Sequence, residues 1–172
     1  MFLLLRQLQH LRTLVALGRP VVGSCALRHV DAGSCNGCEH ELNAVTGPYY
    51  DLQHFGLNVV ASPRHADVLL ITGPVTARMR EPLLRAHAAM PEPRLVAALG
   101  NCALGVDIIA MDNEHAGGVA AVLPVDIQIP GCPPTPEQIA VHLLEGLQRY
   151  IRPRPTTTRM VKPIDSEIHK RS

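Results

Sequence analysis

Short apolar runs that alternate with helical segments from about residue 22 onward predict an α/β domain built on a doubly wound parallel sheet. Two further observations agree. The 172 residues, 47% of them hydrophobic, suffice for one ordinary core and so for a single domain. Four of the five cysteines fall in the loops that follow predicted strands, the edge at which such sheets build their sites.

The elements follow in order. CALRHV (25–30) reads as the first strand, then come a glycine-rich cysteine loop and a helix over 39–45. GLNVVAS (56–62) and ADVLLITG (66–73) are the second and third strands, rich in Val, Leu and Ile and closed by turn residues. REPLLRAHAAM (80–90) has helical periodicity and ends before Pro91 and Pro93; RLVAALG (94–100) is the fourth strand. Residues 125–129 form the fifth. A helix over 135–150 starts at the capping residue Thr135, with Pro136 at its first position and Glu137 in its first turn. The simplest fold for this order is flavodoxin-like. The domain is expected over 21–151.

The flanks read differently. Leu4, Leu8, Leu11 and Val15 recur at helical spacing, so residues 1–20 are expected to form an amphipathic helix. It would pack on its own domain, on a partner subunit or at a membrane interface. Its apolar runs, broken by Arg6, Gln7, Gln9, His10 and Arg12, are too short for a span or an export signal. Cysteines are therefore expected to stay reduced, in the cytoplasm. Residues 152–172 are polar and punctuated by proline, and are expected to be an extended tail. Lys+Arg 16 against Asp+Glu 15, no long basic run and 3% aromatics argue against a nucleic-acid surface.

Cys35 and Cys38 form a C-x-x-C pair after the first strand; Cys102 and Cys132 each stand alone beyond a later strand. Cys25 lies within the first strand and reads as a buried structural thiol. Four thiolates at one edge suit zinc or an iron–sulfur cluster. The split second pair is unlike a zinc ribbon, though zinc stays open. A redox dithiol would account for Cys35 and Cys38 alone. GCPP (131–134) has the Cys-Pro of cluster-binding runs, and Gly33, Gly37, Gly100 and Gly131 leave room for backbone amides near cluster sulfurs.

At these residues the chain resembles a known family. AGSCNGCEHELNAVTGPYYDLQHFGLNVVASPRHADVLLITGPVTARM, then PEPRLVAALGNC, then VLPVDIQIPGCPPTPE are similar, in order, to the small electron-transfer subunit shared by membrane-bound group 4 [NiFe]-hydrogenases and respiratory complex I. The resemblance spans roughly residues 29–150. It implies a flavodoxin-like fold without flavin and one [4Fe–4S] cluster held by Cys35, Cys38, Cys102 and Cys132. It also implies a larger catalytic subunit with a [NiFe] site, a ferredoxin-like iron–sulfur subunit, and membrane-arm subunits that hold the complex to the cytoplasmic face of the membrane. C-x-x-C followed by Glu is the hydrogenase form; the complex I form has adjacent cysteines. One rival is a complex-I-like subunit serving quinone or sulfur-compound reduction. A rival of another class is a zinc-stabilised α/β interaction module. The family often continues after its third cysteine into a glycine-rich stretch, whereas this chain has ALGVDIIAMDNEHAGG (103–118), so the loop around Cys102 is expected to differ.

Glu39 and Glu41 beside the cysteine pair read either as acids suited to a helix N-terminus or as proton relays. Glu41 is the stronger relay candidate, since it matches a Glu of both branches of the family. Arg64 and His65 read as surface residues or as charges that tune the cluster's potential. His40 is expected to be exposed or interfacial. The Met and His residues of MREPLLRAHAAM (79–90) read as the faces of an ordinary helix.

Overall fold

The structure, a computed structural model, describes residues 24–106 and 117–150. The helix expected over 1–20 and the tail expected over 152–172 lie outside the described residues. Five strands, β1 (Cys25–Asp31), β2 (Leu57–Val59), β3 (Val68–Thr72), β4 (Leu95–Leu99) and β5 (Ile127–Ile129), form one sheet in the order β2-β1-β3-β4-β5. Every pairing is parallel. This is the expected doubly wound order.

Four helices complete the described fold: α1 (Gly37–Thr46), α2 (Ala77–Ala88), α3 (Asn101–Leu104) and α4 (Pro136–Gln148). Strand alternation assigns them to layers. Leu27, Val68, Leu70, Ala97, Leu99, Ile127 and Ile129 point to one face, where Leu42 and Val45 of α1 meet Ile139, Ala140, Leu143, Leu144 and Leu147 of α4. Leu69, Ile71, Val96 and Ala98 point to the other, against Leu83 of α2 and Ala103 of α3. β3 is buried along its whole length, which is why VLLIT shows no polar alternation.

α4 starts as its sequence requires. The Thr135 hydroxyl accepts from Gln138 N while the Gln138 side chain accepts from Thr135 N, a reciprocal cap with Pro136 at the first position. Gly146 lets this helix approach β5: a Cβ there would lie 2.8 Å from both Cγ atoms of Ile127.

Some elements depart from expectation. β2 and β5 are three-residue strands. Ser62 and Pro63 divert the chain into a 3-10 turn, Pro63–His65, soon after β2, and Pro130 follows β5 directly. α2 starts three residues before the expected run, capped by Thr76. α3 has four residues, too few to show a period of 3.6. No described helix is long and apolar enough to cross a membrane.

Candidate functional site

The carboxyl ends of β1 and β5 lead into the loops that carry Cys35 and Cys132, and that of β4 leads into α3, which carries Cys102. Cys38 lies in the first turn of α1. None of the five cysteines forms a disulfide.

The first loop is shaped by its own residues. Asp31 ends β1, and its Oδ1 accepts from Gly33 N at 2.8 Å and Ser34 N at 2.7 Å. Burial pushes the Asp31 carboxyl up, but the Ser34 and Gly33 amides outweigh it and hold it below the usual carboxylate range. Asn36, in the left-handed region at φ 68°, stands at the N-cap position of α1 and turns the chain into the helix without a side-chain capping bond. The β3–α2 connection lies against this loop, because a Cβ on Gly73 would be 2.6 Å from Ser34 N.

The other two cysteines are brought together by strand pairing. β4 and β5 pair as Ala97↔Ile127, Ala98↔Gln128 and Leu99↔Ile129, each pair thirty residues apart. Backbone bonds carry this offset one step further, to Asn101 and Gly131, the residues just before Cys102 and Cys132. Gly100 N donates to Ile129 O, Asn101 N donates to Gly131 O, and Gly131 N donates to the Asn101 side-chain oxygen, each at 2.8 Å. The Cys132–Pro133 bond is cis.

Cys38 lies within electrostatic reach of the other three cysteines of this edge. Burial pushes the Cys38 thiol up to about 12; negative charge at Glu39, Cys102, Cys35 and Cys132 pushes it the same way. Gly100, at φ +91°, lies beneath Cys38: a Cβ there would be 2.5 Å from the Cys38 sulfur. Cys35 and Cys132 are exposed, while Cys38 and Cys102 are half-buried. Among the described residues, no three His, Cys, Asp or Glu side chains are grouped as ligands of a single ion. A cubane needs no such convergence, since each thiolate binds a different iron. The donor set fits such a group: four soft sulfur ligands stand at one edge, and the other three oppose ionisation of Cys38, which a metal's positive charge would reverse. The glycine beneath Cys38 leaves the space a side chain would fill.

Cys25 is a contrast. It is 4% exposed, and burial, then the Asp67 charge, push its thiol up to about 12 with no other cysteine involved. The expected structural role agrees with this burial.

Glu39 and Glu41 are two residues apart on α1 and so do not share a face. Glu39 turns to the sheet. The Thr72 hydroxyl donates to Glu39 Oε1, and His29 Nε2 is 2.9 Å from that hydroxyl and 3.6 Å from Glu39 Oε1. Glu39 Oε2 is buried with no hydrogen-bond partner among the described residues. Burial lowers the pKa of His29, against the opposing pull of Glu39 and Asp31. Glu41 is half-buried, near Tyr50, whose hydroxyl is pushed up by burial and then by Tyr49, Glu137 and Glu41. His40 is exposed, as expected.

Arg64 and His65 lie in the turn that enters β3 at its amino end. The five residues of β3 separate that edge from the cysteine edge by roughly 16 Å. This placement lends no support to a direct part in tuning the cysteine site. His29, Thr72 and Asn101 were not legible as site residues in the sequence. A Thr ending a fully apolar strand is the only signal that pointed to any of them.

Residues 35–145 match the family described as NADH ubiquinone oxidoreductase, 20 Kd subunit. The chain is 42% identical over 127 residues to a probable membrane-bound hydrogenase subunit, mbhJ, of Pyrococcus furiosus, covering 72% of this chain and 76% of that one. It is 45% identical over 121 residues to formate hydrogenlyase subunit 7 of Escherichia coli, covering 70% of this chain and 48% of that one. Among solved structures, a chain of the membrane-bound sulfane sulfur reductase, an archaeal respiratory membrane complex, superposes with a TM-score of 0.61 at 29% identity, covering 74% of this chain and 68% of that one. The chain belongs to the complex I 20 kDa subunit family, as a hydrogenase-like or complex-I-like subunit of an oxidoreductase.

Proposed function

From membership of that family, we propose that this chain is the electron-transfer subunit of a membrane-bound [NiFe]-hydrogenase complex. In this reading Cys35, Cys38, Cys102 and Cys132 hold one [4Fe–4S] cluster. The observation that carries it is the gathering of four cysteines, from the segments that follow β1, β4 and β5, at one glycine-lined sheet edge. The cluster, when bound, supplies one-electron oxidation and reduction. The chain would supply thiolates kept ionised by the metal's charge and, beneath Cys38, the apolar core against which it packs.

The exposed side of the edge, at Cys35 and Cys132, is the side a large catalytic subunit would cover. Electrons would pass between that subunit's [NiFe] site and a ferredoxin-like partner. Membrane-arm subunits would hold the complex at the cytoplasmic face. Glu41, and Glu39 beside Cys38, are the carboxylates placed to hold or pass protons near that contact.

Likeness to a sulfane sulfur reductase chain favours a second reading, in which the same subunit serves a nickel-free large subunit that reduces a sulfur compound. Metal analysis separates the cases. Anaerobically purified chain should carry about four irons with labile sulfide; stoichiometric zinc without iron would overturn the cluster. Nickel in the co-purified large subunit, with hydrogen evolution, is expected. A large subunit without nickel would select the second reading.

A further inference from the structure

We propose that Asn101 is a positioning residue that sets the separation of the two lone cysteines, acting as a side-chain extension of β4 beyond its end. This rests on the cluster reading above.

In a parallel ladder, Gly100 set opposite Pro130 would donate to Ile129 O and accept from Gly131 N. The first bond is present: Gly100 N reaches Ile129 O at 2.8 Å. The second is replaced. Gly100 leaves the strand at φ +91° and ψ 158°, α3 begins at Asn101, and Gly131 N donates to Asn101 Oδ1 at 2.8 Å. Asn101 N returns a bond to Gly131 O, also at 2.8 Å. Two residues, one from each loop, are thus joined by both of Gly131's backbone groups. Each stands immediately before a cysteine.

The consequence follows from chain length. Cys102 and Cys132 lie one residue beyond this double bond, so little backbone is left to absorb drift between them. Pro133 and Pro134 stiffen the far side of Cys132. The near side is Gly131, at φ +142°, whose own conformation supplies no rigidity. Without the Asn101 oxygen, one of the two bonds that join Asn101 to Gly131 would be lost, and Gly131 N would be a partly buried donor without its acceptor. An aspartate keeps an oxygen in the accepting position; an alanine does not.

The experiment compares the full chain, isolated anaerobically with its bound subunits, with Asn101→Ala and Asn101→Asp. It measures iron release to a chelator, the EPR spectrum of the reduced cluster, and deuterium exchange over residues 130–134. Within that segment Pro130, Pro133 and Pro134 have no N–H, so the exchange reports Gly131 and Cys132 alone. N101A is expected to release iron about tenfold faster or more, shift the EPR g values and lose protection at Gly131. N101D is expected to retain iron and protection within about twofold of the unaltered chain, with the cluster's potential moved negative by the added charge. Wild-type iron release and EPR in N101A would overturn the proposal. So would equal failure of both variants. If N101A does not accumulate, Asn101→Ser, whose acceptor is too short to span the gap, takes its place. Unaltered chain without iron would overturn the proposed function. The exchange arm then still decides the clamp: protection lost in N101A and kept in N101D supports it, and no difference overturns it.

Discussion

The two halves of the cysteine edge are built by different means. Cys35 and Cys38 sit in one short segment that shapes itself: Asp31 folds the loop, Asn36 turns the chain into the helix through its left-handed backbone, and α1 presents Cys38. Cys102 and Cys132 are thirty residues apart and meet through parallel pairing of β4 with β5 and through the Asn101 bonds. The first half depends on local turn chemistry, the second on tertiary register. Damage to the first should stay local, while damage to the second should act on everything that fixes the register.

The largest effect should come from the ligands, and it should be equal in both halves. Serine at Cys35, Cys38, Cys102 or Cys132 is expected to abolish or severely distort the reduced-cluster EPR signal. Cys25→Ser, made in the buried core, should leave it nearly intact. An unchanged signal after substitution at Cys102 or Cys132 would break the symmetry of the comparison and the ligand set with it.

Next in size is Gly100, where the halves touch. Gly100→Ala needs a left-side φ combined with an extended ψ, a region almost confined to glycine, at a cost of about 1–3 kcal/mol. It also sets a methyl against the Cys38 sulfur. Iron per chain should fall below half of the unaltered value, alongside a lower denaturation midpoint.

Thr72→Val sharpens the contrast from the first half. It removes the donor to Glu39 Oε1, leaving a partly buried carboxylate whose other oxygen is already without a partner among the described residues. The expected loss is about 1–3 kcal/mol of stability, read by denaturant unfolding. The Cys102–Cys132 half should keep its exchange protection.

A smaller effect is expected with pH. Because burial holds His29 below its ordinary value, the unfolded chain takes its proton first. The stability contributed by neutral His29 is therefore present above the unfolded value, near 6.5, and is lost as pH falls through the folded one. Unfolding free energies measured from pH 7.5 to 5 should decline, and His29→Gln should flatten that decline. The smallest structural change is Glu41→Gln, which should slow hydrogen turnover while leaving iron content and EPR unchanged. Full activity would reduce Glu41 to a helix acid.

The order of strands and helices was legible because β3 and β4 are almost wholly Val, Leu, Ile and Ala, and α4 has a recognisable start at Thr135 and Pro136. Boundaries slipped where three residues make a strand or four make a helix, too few for a period to register. The cysteines were legible as a group because a parallel sheet sends every strand's carboxyl end to the same edge. Arg64 and His65 read from the sequence as strand-start surface residues or as charges that tune the cluster; they precede β3 and lie at the other end of the sheet, a position that suits the first reading.

The sequence by itself determined the fold class and which side chains reach the carboxyl edge, since both follow from local hydrophobic pattern and strand direction. Only the tertiary structure decided the rest. The thirty-residue register that joins Asn101 to Gly131 ahead of Cys102 and Cys132, the turn of Glu39 toward Thr72 and His29, and the use of Asn101 as a strand surrogate depend on packing between distant segments. Their local sequences are compatible with several partners, and the sheet's register selects one.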